Sequence, residues 1–142
     1  MREVFPDELP DRLSLEEEKR EKFKKIKDHF SFDVKNRDIF FLALIRGYKN
    51  DSMKELEDKG FGVAMTSYLN DKDIAVMTSI AIEKKGVQVI NDTKAIFETA
   101  QKYANFGVNI LEDNIQEISY GSFDKEFESQ IYDLYYENYK NE

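Results

Sequence analysis

A chain of 142 residues with 41% apolar and 13% aromatic side chains is large enough to bury a core, which excludes disorder and makes one domain the expectation. With no cysteine it has no disulfide, zinc-thiolate site or thiol nucleophile. Its net charge of −8 makes it a poor general binder of nucleic acid, because phosphate contacts need positive charge.

No run resembles a signal peptide or a bilayer span, which takes about 20 apolar residues, so the cytoplasm is the expected location and no membrane partner is expected. The negative charge is concentrated in residues 60–142. Within the more balanced first part, residues 19–27 hold Lys19, Arg20, Lys22, Lys24, Lys25 and Lys27 against the single acid Glu21. A solvated helix face is the simpler account of such a run.

Residues 1–11 contain both prolines, Pro6 and Pro10, and read as an extended N-terminal arm. Ser14-Leu15-Glu16-Glu17 fits a capping box, in which hydroxyl and carboxylate satisfy free helix amides reciprocally. A helix is therefore predicted over about 15–30, with Phe23, Ile26 and Phe30 as a narrow apolar stripe. The second helix, about 35–48, contains Ile39 to Ile45, seven apolar residues without a break. It is too apolar all round for a surface helix and is predicted to be the buried centre. Asn36 or Asp38 can cap its start, and Gly47 marks its stop.

Ser52 and Glu55 permit one helical turn, and Gly60 and Gly62 break it. Residues 61–69 read as a short extended segment. Asn70-Asp71 caps a third helix, about 72–83, with Ile74, Met77, Ile80 and Ala81 on one face and Gly86 as its end. A fourth helix, about 93–117, repeats Ile96, Ala100, Tyr103, Ala104, Gly107, Ile110 and Leu111 at three- and four-residue spacing. Gly107 inside a helix costs about 1 kcal/mol relative to alanine. Close approach of a neighbouring helix, most simply the second, would offset it. A fifth helix, about 123–139, carries Phe123, Phe127, Ile131, Leu134 and Tyr135 on one stripe. The fold class is thus mainly α: one compact five-helix domain over residues 1–142.

Two segments carry a resemblance. Residues 36–50, NRDIFFLALIRGYKN, end in a Gly47-Tyr48-Lys49 step. Further on come Ile80-Ala81-Ile82, the turn at Gly86, and Tyr103-Ala104-Asn105-Phe106-Gly107. Over residues 36–116 the chain resembles a group of small prokaryotic proteins, the Dnd system-associated protein 4 family. Where that family reads Ala-Glu-Thr-Gly before the turn, this chain has Ile82-Glu83-Lys84-Lys85-Gly86. The resemblance implies a link with DNA phosphorothioate modification and the restriction systems that depend on it. It implies no catalytic residue, and the matched positions are mostly packing and turn positions.

The chemistry-bearing residues are few. His29 is the single histidine, which excludes a multi-histidine metal site within one chain. Gly60 and Gly62 lack the third glycine of a dinucleotide loop, and Asn70, Asp71 and Asp73 lack the glycine and distal glutamate of a calcium loop. No catalytic residue, metal or cofactor is expected, and the chain reads as a non-enzyme.

Two function classes remain. The first is a protein-interaction component of a DNA-modification or defence system. Eight tyrosines and eleven phenylalanines motivate it, with Tyr132, Tyr136 and Tyr139 as the candidate partner-binding residues. The second is a DNA-binding regulator of ribbon-helix-helix type. There Arg12 would sit on a short strand and Lys19, Arg20, Lys22, Lys24 and Lys25 would contact phosphates.

Overall fold

The first regular element is a strand, β1 (Arg12–Leu15), where the capping-box pattern predicts a helix start. In the computed structural model, which describes residues 10–117, 129–131 and 133, three of its four residues, Leu13, Ser14 and Leu15, are buried. Leu13 and Leu15 are fully buried, and the Ser14 amide donates to Gln101 Oε1 at 2.8 Å. The Glu16 carboxylate, in place of closing a helix N-terminus, turns inward to accept from Lys54 and from the Glu57 amide. Burial of two leucines outweighs a cap, which is worth about 1 kcal/mol. The first helix, α1 (Lys19–Asp28), is correspondingly shorter than predicted and buries Phe23 and Ile26.

α2 (Asn36–Lys49) is the buried centre. Ile39, Phe40, Phe41, Leu42, Ala43 and Leu44 are each at most 3% exposed. Asp38 supports its start by accepting from the Lys35 amide at 3.2 Å. Gly47 does not stop it. The helix runs on to Lys49 with Asn50 as its C-cap, and the following Asp51 takes the left-handed conformation at φ 48°. A short polar side chain tolerates that conformation better than most.

The extended segment is present as β2 (Phe61–Met65), which pairs antiparallel with β1 in a two-stranded sheet. Arg12 faces Met65 and Leu13 faces Ala64; an irregularity then shifts the register, so that Ser14 faces Gly62 and Leu15 faces Phe61. Phe61 and Val63 point into the core, with Phe61 edge-on to Phe23 at 4.9 Å. A single 3-10 turn, Thr66–Tyr68, leads towards α3 (Asp71–Lys85), capped by Asn70, whose side chain accepts from the Asp73 amide at 2.8 Å. Gly86 ends α3 at φ 100°, a backbone open to glycine at no steric cost. A 3-10 segment, Val87–Asn91, then enters α4 (Thr93–Glu117).

α4 packs along α2, and two glycines set how close the helices come. A Cβ on Gly107 would overlap the Ala43 carbonyl oxygen, and one on Gly47 would overlap that of Tyr103. The pairs are reciprocal, since positions 43 and 47 ascend α2 while 107 and 103 descend α4. Tyr48 meets the Tyr103 ring edge-on at 5.8 Å beside this crossing. Gly47, Tyr103 and Gly107 therefore all sit at this helix contact. Most of the predicted fifth helix lies outside the described residues, but 129–131 and 133 are helical. Ile131 is buried, and Arg46 reaches Gln130 Oε1 at 3.0 Å. No described helix is long and apolar enough to cross a membrane.

Candidate functional site

The basic run at 19–27 is divided by the fold. Lys19 is 1% exposed, with its ammonium 3.1 Å from Glu18, 3.4 Å from Asn109 Oδ1 and 3.8 Å from Glu16. Arg20 pairs with Glu17, donates to the Gly60 carbonyl at 3.0 Å and lies 4.8 Å over the Phe61 ring. Lys22 bonds Glu112 at 2.6 Å. These three tie α1 to α4 and to the chain before β2, while Lys24 and Lys25 face solvent. The strand at Arg12 that a ribbon-helix-helix reading asks for does exist. It pairs within the chain, with β2.

Next to Lys19 lies a polar cluster centred on a buried carboxylate. Glu16, 2% exposed, accepts from Lys54 Nζ at 2.9 and 3.0 Å and from the Glu57 amide at 2.9 Å. Burial pushes its pKa up, but the Glu57 amide, Lys54 and Asn105 together outweigh burial and hold it below the ordinary value. Asn105 also reaches the Lys54 carbonyl, at 3.4 Å. Through these bonds the cluster fastens the irregular chain after α2 onto β1 and α4, with Asn105 Oδ1 buried and without a hydrogen-bond partner among the described residues.

A different set of residues forms an open groove of about 590 Å³. Residues 62–65 of β2, the start of α2 at Lys35 and Arg37, Tyr68, and Arg12 from β1 line it. Arg12 lies flat across the sheet because position 62 is glycine: a Cβ there would come within 3.0 Å of Arg12 Cδ. Arg37 is committed to Asp73 at 2.9 Å and to Asp38 at 3.4 Å, which fixes one cationic wall. Arg12 and Lys35 are exposed. Met65 at 49% and Tyr68 at 74% exposure give the groove an apolar and aromatic rim.

The sheet's two outer edges differ. On β1 the Ser14 amide is taken by Gln101, so α4 covers that side. On β2 the Thr66 amide donates to the Asp11 carbonyl at 2.9 Å, on the side of β1. Alternation along an antiparallel strand then turns the preceding amide, of Met65, to the outer edge.

Of the candidate partner- and DNA-binding residues named from the sequence that the structure describes, Arg12 alone belongs to this groove. Tyr132, Tyr136 and Tyr139 lie outside the described residues. Lys35, Arg37, Met65 and Tyr68 gave no separate signal, because they converge only once β1 has paired with β2. Among the described residues no group of acidic and histidine side chains is placed to hold a metal ion. No family model, no curated protein and no solved structure matches the chain.

Proposed function

We propose that the protein is a non-enzymatic interaction component that engages a partner protein through the groove beside β2. One observation carries the reading: a strand edge unpaired among the described residues shares a groove with two exposed large apolar side chains. Two exposed cations, Arg12 and Lys35, and the acid-paired Arg37 line the same groove, on a chain whose net charge is −8. Aromatic and arginine side chains on a surface are the common anchors of binding sites. Large apolar groups beside a strand edge carry a cost in solubility and aggregation unless a partner uses them. The resemblance over residues 36–116 supports placing that partner in a prokaryotic DNA-modification or defence system.

A duplex-DNA reader built on α1 is the weaker reading, since Lys19, Arg20 and Lys22 are engaged with acids of the same chain. The test compares two doubly substituted proteins by affinity capture from a native lysate. Arg12→Glu with Lys35→Glu is expected to lose a protein that the parent retains. Lys24→Glu with Lys25→Glu is expected to keep it. The reverse pattern, or a shift of duplex DNA near 50 mM salt that Lys24→Glu with Lys25→Glu abolishes, would favour the regulator.

A further inference from the structure

Resting on the groove as the binding surface, we infer that the outer edge of β2 takes an extended acidic peptide segment of a partner protein by strand addition. In this mode main-chain hydrogen bonds supply affinity, and side-chain pockets alternating along the added strand supply selectivity. β2 offers five residues, about 17 Å of strand, enough for a short extended segment. The Met65 amide, turned to that edge, is the donor an incoming backbone meets first. Arg12 and Met65 are cross-strand partners and share one face of the sheet, so carboxylates on the peptide face that meets the groove lie near Arg12 and Lys35, beside the apolar rim of Met65 and Tyr68.

The charges and the strand edge argue for this occupant over two others. A second copy pairing edge to edge through β2 would bring the exposed Arg12 and Lys35 of the two copies near one another, and like charges brought close repel. A nucleic-acid strand is drawn to the same local cations but has no peptide N–H and C=O groups with which to extend the sheet at the edge of β2. An acidic peptide needs only local positive charge and a short edge, and both are present.

Met65 also supplies a selective test. Its φ is −68°, the angle that proline fixes, and its amide faces away from β1. Met65→Pro thus removes the outward donor while leaving the pairing with β1 intact. The probe is a fluorescein-labelled octapeptide of alternating Glu and Val, followed by anisotropy on the full chain, with a Lys-Val octapeptide and a thymidine dodecanucleotide as controls. The expected result is saturable binding of the Glu-Val peptide alone. Met65→Pro, with an unchanged melting curve, is expected to weaken it about tenfold, the scale of one lost backbone hydrogen bond. Arg12→Glu with Lys35→Glu is expected to weaken it further.

Should Met65→Pro melt early, the same peptide N-methylated at alternate residues replaces it, since methylation removes ladder donors from the peptide side. Equal binding of parent and Met65→Pro at matched stability, or of plain and N-methylated peptide, would overturn strand addition. So would tighter binding of the oligonucleotide, or assembly of the parent into a dimer that the Glu-Val peptide does not dissociate. If the peptide fails while Arg12→Glu with Lys35→Glu still loses the captured protein, the groove stands as the binding surface and strand addition alone falls.

Discussion

Glu16 gives the chain a pH dependence whose sign follows from its partners. Its folded-state pKa lies below the ordinary 4.5, because the Glu57 amide, Lys54 and Asn105 together outweigh burial. The stability it contributes is therefore fully present above the unfolded value and is lost as pH falls through the folded one. Lys54 is raised, first by its hydrogen bond to Glu16, so the pair stays charged across the range between. Glu16→Gln is expected to lower the melting temperature at pH 7 by the equivalent of about 1–3 kcal/mol. It is also expected to flatten the fall in stability between pH 7 and about pH 3. Melting curves at several pH values check both; equal acid sensitivity of parent and variant would contradict the assignment. Nothing local in the sequence separated this glutamate from a capping residue. A Ser-x-x-Glu spacing is the same string whether the carboxylate closes its own helix or reaches 41 residues on to Glu57.

Helix extents were legible where periodicity ran long. α4 occupies the predicted span, and the apolar run of α2 marked the core, because uninterrupted burial needs no partner to be recognised. Gly107 also read correctly, since an unexplained glycine inside a helix asks for a neighbour. Gly47 asked for the same neighbour but stood near a plausible helix end, so it read as a stop. The two should now behave alike. Gly47→Ala and Gly107→Ala each gain about 1 kcal/mol of helix propensity yet force a methyl against a carbonyl of the facing helix. Backbone cannot yield as a side chain does, so overpacking of about 1–3 kcal/mol is expected to win. Gly107→Leu is expected to lose more than Gly107→Ala. Thermal melts decide: either alanine variant melting above the parent would show that α2 and α4 are not held at this separation.

At the scale of the whole molecule, the working surface belongs to no single element. Arg12 comes from β1, Lys35 and Arg37 from the start of α2, Met65 and Tyr68 from the end of β2 and the turn after it. Their convergence depends on the pairing of residues 12–15 with 61–65, a long-range contact that sequence patterns do not encode. The chain showed an extended segment near 61–69 and, in the ribbon-helix-helix alternative, a short strand at Arg12, but not that the two pair with each other. It showed six cations in residues 19–27 but not that Lys19 is buried among acids. The positive patch that remains open lies elsewhere, and it depends on Gly62 leaving Arg12 a place to lie.

The most direct test of that surface is residue-resolved amide hydrogen exchange of the free chain and of the chain saturated with its captured partner protein. Thr66, bonded to Asp11, should exchange slowly in both states. The Met65 amide, turned outward, should exchange fast in the free chain and become protected in the complex. A Met65 amide already slow in the free chain, or one that stays fast when the partner is bound, would contradict the open edge of β2 as the place where this protein works.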